Sequence, residues 1–408
     1  MTATTASDTV GRPGPGRLPS LTGMRFVAAA LVFAFHATYE NAFRDHAAGA
    51  AFSWLAGKAG WVGVSYFFVL SGFLLTWSAR RDDPARRFWR RRFFRIYPTH
   101  LLTFLAALAL LAWAGLPAPG AVRNLLLVQS WTPDVNVILS VDPVSWSLSC
   151  EALFYLAFPL LFRLVARVRP ERLWWWAGAL VAAVCCVPAV AGALLPGQPH
   201  MSWLAVSEQR YWFVFAFPPV RALEFVLGMV MARIVRAGRW SGPGLLPAGA
   251  ALVAGYAVAL YAPFEYGMVA VTLVPVTWLI SAAAVADVRG TRSPFRHRAM
   301  VRLGEVSFAF YLVHRLVQRY GHIALGERRA WSAPAAVGMV LLSAVVSLLL
   351  AWLVHVGYER PVLRRFGSPA RPPEPTGARP AALPGPSRVP AGRDAWHTST
   401  SARREESP

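Results

Sequence analysis

Charge is what this sequence has least of. Asp, Glu, Lys and Arg make up 15% of its 408 residues, while 56% are hydrophobic. A soluble chain of this length carries far more charge, so the scarcity excludes a soluble enzyme and indicates a polytopic membrane protein. Acidic residues are scarcer still, 20 against 41 Lys and Arg, for a net charge of +21. The arginines lie between apolar runs and in the C-terminal tail, which suits membrane topology and a small polyanion and argues against nucleic acid. The three cysteines, Cys150, Cys185 and Cys186, fall in or beside apolar segments without metal-ligand spacing, and predict neither disulfides nor zinc. No small-residue cleavage pattern follows the first apolar run, which therefore reads as a retained transmembrane helix over 25–43. Internal repeats and an attached soluble catalytic domain are also lacking.

What is present is a series of apolar runs near spanning length, at 24–43, 58–78, 97–115, 145–166, 173–195, 211–235, 245–262, 267–287, 303–325 and 335–357. The fold expected is all-α, with about ten transmembrane helices and both termini cytoplasmic. Arginines crowd 80–95, 163–172, 233–239 and 289–302, which are then all inner loops. The outer loops hold only scattered basic residues, as the positive-inside rule requires. Segment 1–20 and the Pro- and Arg-rich tail 362–408 are expected to be disordered, flanking a membrane domain over 21–361. The long outer loop 116–144, punctuated by prolines, is expected to carry an interfacial helix or a lid.

Ionisable residues inside these runs are costly in a bilayer, and the default reading of each is function. Arg25 and His36 come first: the eleven-residue step between them turns about 1100° and rises about 16 Å on a helix, so the two share a face, with His36 near mid-membrane. Arg91, Arg92, Arg95 and Tyr97 lie where the arginine cluster enters the third run. Either they are solvated topology signals, or guanidinium groups at fixed spacing hold phosphates beside aromatic faces. Asp142 and Pro143 read as a helix start, and Ser147, Glu151 and Tyr155 follow at four-residue steps along one face. Glu151 is either a satisfied buried carboxylate or a working one. Pro218 and Pro219 break the sixth run ahead of Arg221 and Glu224, which are three apart and suited to neutralising each other. His314, on one face with Ser307, is either a core histidine or part of a site.

Together these pieces resemble the membrane-bound acyltransferase family 3, whose members move an acyl group from a coenzyme A thioester to a hydroxyl, commonly of a glycan or natural product. The resemblance covers about 21–361. It rests on Arg25 followed after ten residues by His36, on Phe67-Phe-Val-Leu-Ser-Gly-Phe73, Arg92-Phe-Phe-Arg-Ile-Tyr-Pro98 and Trp146-Ser-Leu-Ser-Cys-Glu151 with Phe154-Tyr155, on Gly304 to His314, and on Glu359-Arg-Pro361. It implies that Arg25 and His36 are essential and that Arg92 and Arg95 face the acyl donor on the cytoplasmic side. Thr22 and Phe26 stand where the family usually has Asp and Gly, a form similar to the actinobacterial branch that decorates macrolide and other antibiotic sugars. Many members carry a fused extracytoplasmic esterase-like domain that this chain lacks, so transfer would finish in the membrane domain or on a separate partner.

On that reading acyl-CoA is a donor substrate held by Arg91, Arg92, Arg95 and Tyr97, with no metal and no tightly bound cofactor. His36 would act as base, with Arg25 and Glu151 beside it. Ser147, Tyr155, Arg221, Glu224 and His314 are acceptor-binding or structural. The acceptor is a hydroxyl of a natural-product sugar, macrolide or cell-surface glycan, and the location a bacterial cytoplasmic membrane. The residues specify no oligomeric state. The alternative class is a transporter or exporter with the same ionisable residues as a relay, but no symmetry between the halves accompanies it.

Overall fold

The computed structural model describes residues 16–80, 83–326 and 329–367. Within them ten long helices form: α1 (Pro19–Ala37), α2 (Ala59–Ser78), α3 (Ala85–Trp113), α4 (Trp146–Arg167), α5 (Leu173–Leu194), α6 (Pro218–Arg236), α7 (Leu245–Tyr261), α8 (Ala270–Val288), α9 (Arg298–Gly326) and α10 (Ala333–Val354). Each apolar run read from the sequence falls on one of them. Among the described residues eight helical segments are long and apolar enough to cross a membrane. Two of the ten fall outside that group: α7 has only 17 residues, and α9 carries Arg298, Arg302, Glu305, Arg315 and Arg319. The chain is a multi-pass membrane protein without strands among the described residues. Most of the two terminal segments expected to be disordered lies outside those residues; in the described part, helix begins at Pro19 and helical turns continue to Gly367.

Two boundaries differ instructively from expectation. α3 starts at Ala85, so Arg86 to Arg95, expected in an inner loop, lie in its first three turns, and at 29 residues it is about 43 Å long. α1 starts six residues before Arg25, with Pro19 in its first turn, where a missing N–H costs nothing. Its start is tied to α8: the Ser20 hydroxyl donates to Asp287 at 2.7 Å and the Ser20 N–H to the other carboxylate oxygen at 2.8 Å.

The core is built around α2, which is apolar on every side and buried on nearly every side. Close approach needs small residues, because helices in lipid gain little from apolar burial and associate by backbone-near packing. A Cβ on Gly72 would lie 1.9 Å from the Phe225 carbonyl oxygen, and one on Gly228 the same distance from that of Val69, so α2 and α6 touch backbone to backbone. The expected break at Pro218 and Pro219 is present: a helical segment ends at Ala216, Phe217 is extended, and α6 begins at Pro218. At the other extreme, α10 buries only Ala336, Ser347 and Ala351 and turns a face of Leu and Val outward.

The outer loop is folded rather than loose. Short helices at Ala121–Leu125 and Val135–Ile138 bracket buried Asn124, Gln129 and Ser130. Asn124 Nδ2 donates to the Ser140 carbonyl at 2.8 Å and to Ser145 Oγ at 3.0 Å, closing the loop on itself. Asp142 does not cap α4, which begins at Trp146; its carbonyl instead accepts from the Ser145 N–H. Its carboxyl is fully buried, and one oxygen lacks a hydrogen-bond partner among the described residues. Burial pushes it up to about 7, against the pull of the Val144 N–H and Arg315. A raised carboxyl makes the folded state keep a proton that the unfolded state loses near pH 4, so stability falls with pH by about 1.4 kcal/mol per unit until about pH 7. Thermal unfolding in detergent between pH 5 and 8 should therefore show wild type losing ground to Asp142→Asn up to neutrality and then running parallel to it at a fixed gap. Parallel curves throughout would refute this.

Candidate active site

Three cavities follow one another along α4. The first, of about 360 Å³, takes Arg91 and Arg92 from α3, Arg163 and Arg167 from α4, and Arg80 from the end of α2, with Asp83 as its acid. Asp83 pairs with Arg91, and this hydrogen bond holds its carboxyl below the usual carboxylate range. Four basic groups are left for a ligand. Arg92 lies 5.6 Å from the Phe88 ring centre and 6.0 Å from that of Tyr155, so its guanidinium is flanked by aromatic faces. Of the expected phosphate ligands, Arg91 and Arg92 line this cavity. Tyr97 does not: it lies on the other side of α3, stacked on Phe93 at 4.9 Å. Arg95 turns inward to the next cavity.

That second cavity is small, about 70 Å³, and holds Arg25, Arg95, Ser147, Glu151 and Tyr311. Arg95 is paired with Glu359 at 2.7 Å, and Glu359 is held in turn by His355 Nδ1 at 2.9 Å. Glu151 accepts from the Tyr155 hydroxyl at 3.1 Å. Arg25 has no hydrogen-bond or ion-pair partner among the described residues, although Glu151 and Glu359 are near enough to act on its charge. An unpaired guanidinium inside a bundle, opening onto a cavity, is poised for an anionic group that arrives with substrate.

The third cavity, of about 280 Å³, is aromatic: Tyr39, Trp61, Trp146, Trp203, Tyr211 and Phe215 surround His36 and Arg315. Arg315 pairs with Glu40, and Arg319 also lines the cavity, so its wall is aromatic with a cationic side. Val64 and Tyr311 line both this cavity and the second. The Tyr311 hydroxyl is 2.9 Å from Ser147 Oγ and donates to the Val144 carbonyl at 3.2 Å. His36 meets His314 across α1 and α9, Nδ1 to Nε2 at 3.0 Å.

The structure thus divides the expected residues. Arg25 and His36 do not share a cavity, and His36 falls in the last turn of its helix, because α1 ends at Ala37 rather than at Phe43. Arg221 and Glu224 pair at 2.6 Å, fully buried, and line none of the three cavities; they neutralise each other. Arg163, Arg167, Tyr311 and Arg315 were not singled out from the sequence as site residues. A signal for two of them existed: the four-residue steps from Ser147 through Glu151 and Tyr155 continue to Pro159, Arg163 and Arg167, a ridge winding along α4 with Ser147 and Glu151 lining the second cavity and Pro159, Arg163 and Arg167 the first. Among the described residues no group of three or more His, Cys, Asp or Glu could hold a metal ion.

A family model described as an acyltransferase domain, that of acyltransferase family 3, matches residues 18–356. The chain is 45% identical over 362 residues to acyltransferase MdmB of Streptomyces mycarofaciens, covering 86% of this chain and 93% of that one. It is 27% identical over 164 residues to peptidoglycan O-acetyltransferase OatA of Listeria monocytogenes, covering 35% of this chain and 24% of that one. It is 33% identical over 144 residues to nodulation protein 10 of Rhizobium leguminosarum bv. viciae, covering 31% and 38%. No solved structure matches. The family match spans most of the described helices and all three cavities, and the chain belongs to acyltransferase family 3 as a membrane-embedded acyltransferase.

Proposed function

We propose that this O-acyltransferase takes its acyl group from acyl-CoA bound at the cytoplasmic side and passes it to a hydroxyl of a macrolide or its sugar in the aromatic cavity. The carrying observation is the order of the cavities: an arginine-rich one and an aromatic one at opposite ends, with Arg25, Glu151 and Tyr311 between. Both termini cytoplasmic and ten spans put the arginine-rich end inside, consistent with the arginine distribution. The phosphates of coenzyme A cannot enter a bilayer and suit the arginines, whereas the pantetheine arm is thin enough to follow the α4 ridge. From Arg163 to Glu151 that ridge rises about 18 Å. An aromatic chamber suits a large, largely apolar acceptor, and the likeness to the Streptomyces acyltransferase supports a natural-product acceptor.

In the reaction, His36 takes the proton of the acceptor hydroxyl as its oxygen attacks the thioester carbonyl. A carbon–oxygen bond forms and the carbonyl becomes an oxyanion, for which Arg319, lining the same cavity as His36, is an available donor. Collapse breaks the carbon–sulfur bond, and the leaving thiolate recovers the proton from His36. Ester and free coenzyme A are the products, with no redox change.

The test is to incubate the purified protein in detergent with acetyl-CoA and longer acyl-CoAs against a panel of macrolides, sugars and cell-wall glycan fragments, following thiol release and product mass. Acceptor-dependent thiol release is expected with macrolides. Arg92→Gln and Arg163→Gln should each raise the donor KM about tenfold, the worth of one charge-assisted hydrogen bond, and leave the acceptor KM alone. Release driven by glycan fragments alone would replace the acceptor class. No release from any acyl-CoA, together with failure of labelled acyl-CoA to bind, would overturn the donor.

A further inference from the structure

His36 has a neighbour that the reaction above does not use. His314 is fully buried on α9 among the rings of Phe33, Phe310 and Tyr311. Its Nδ1 lies 3.1 Å from the Phe310 carbonyl oxygen, one helical turn earlier, and its Nε2 lies 3.0 Å from His36 Nδ1. A carbonyl oxygen only accepts, so a neutral His314 carries its proton on Nδ1 and presents a lone pair at Nε2. The hydrogen between the two rings then belongs to His36 Nδ1. This fixes the tautomer of His36: its one proton is at Nδ1, and Nε2 is the nitrogen left bare for the chamber. The reverse order would set a lone pair of His314 against the Phe310 carbonyl, or charge His314 in a pocket of rings with no carboxylate bonded to it.

We propose that His314 is a positioning residue for the transfer reaction. A chain of hydrogen bonds from the Phe310 carbonyl through His314 to His36 holds the His36 ring in one tautomer and at one angle, and so aims the Nε2 lone pair at the acceptor hydroxyl. It does the orienting that a buried carboxylate does in a Ser-His-Asp triad, with a neutral ring in place of a charged one. A neutral orienter suits a site inside a bilayer, where an unpaired carboxylate is expensive to bury. When His36 gains a proton at Nε2, the His314 lone pair remains its hydrogen-bond acceptor, so the charged intermediate keeps the same geometry. The inference rests on His36 acting as the base.

Two amides separate orienting from packing. In His314→Gln the amide falls near the position of Nε2 and can accept from His36. In His314→Asn, one carbon shorter, it falls near Nδ1 and reaches Phe310 alone. Thiol release is measured at saturating acetyl-CoA and acceptor, per molecule in the monodisperse detergent peak. Gln is expected within about tenfold of wild-type kcat and Asn lower by about 10²-fold or more, with both KM values nearly unchanged, since only orientation of the base is lost. Asn as active as Gln overturns the proposal, as does a loss confined to KM. Should Asn not yield folded protein, His314→Phe, which keeps a ring and removes the acceptor, is read against Gln in the same way. His36→Ala distinguishes the two levels. If it retains turnover, the base assignment fails and His314 with it. If it is dead while His314→Asn keeps wild-type kcat, only the positioning role falls.

Discussion

Replacing His36 by Ala is expected to lower kcat by about 10²–10⁴-fold, the range that a positioned general base contributes. The change should leave the protein folded. His36 is half-buried in the last turn of α1 and lines a cavity, so truncation enlarges a space that already exists, and Ala is the best helix former. Affinity for the donor should be kept as well, because the arginines that would hold its phosphates lie in a different cavity. The comparison is therefore between labelled acyl-CoA binding, expected to match wild type, and thiol release, expected to vanish. A variant that binds and still turns over would remove His36 from the chemistry and shift attention to Glu151, the carboxylate of the central cavity. A variant that fails to bind would instead place His36 on the donor side, contrary to its position among the aromatic residues.

The second large effect concerns stability. Arg221→Met should cost about 3–5 kcal/mol, because it leaves Glu224 charged and buried without its counter-ion. The pair is closed off: side chains 1% and 2% exposed, 2.6 Å apart, with the guanidinium bonded to Ser65 Oγ at 3.3 Å and capped by the Phe68 ring at 4.9 Å. Removing both charges together, Arg221→Met with Glu224→Leu, should recover most of the loss or all of it, since a buried pair against an apolar replacement is close to neutral. Thermal unfolding in detergent reads both. Equal melting temperatures for the single variant and wild type would show that water reaches the pair. A double variant no better than the single would mean that Arg221 contributes mainly through its ring contacts.

The long helices were legible because each holds an apolar run, a local property. Arg25 and His36 were legible for the same reason, as charges interrupting one run. What the sequence could not display was convergence. His36 and His314 are 278 residues apart, and Glu359 pairs Arg95 from the far end of the domain. Neither partnership has any spacing to read. The four-residue ridge on α4 was visible at Ser147, Glu151 and Tyr155, but its continuation to Arg163 and Arg167 read as a loop signal, since a basic residue at a membrane edge looks the same whether it is solvated or lines a cavity. The place of His36 within its helix was not legible, because α1 runs from Pro19, where Ser20 bonds Asp287 of the eighth helix, only to Ala37. Tyr97 shares its segment with Arg91 and Arg92 but lies on the other side of α3, where it stacks on Phe93.

The link from Arg95 to Glu359 ties the two ends of the domain into one electrical unit. Glu359 stands in the turns that follow α10, apparently a mere exit from the last helix, yet it supplies the anion that balances a cation on the floor of the central cavity. Arg25 lies close enough to Arg95 to feel its charge. A chain ending before Glu359 would keep all ten long helices and still have two guanidinium groups facing each other across a space of about 70 Å³, with Glu151 as the one carboxylate lining it. The central cavity is therefore not in charge balance when α3 and α4 are made. During synthesis it stays out of charge balance until the last turns of the domain arrive, which makes completion of the chain itself the step that neutralises the site.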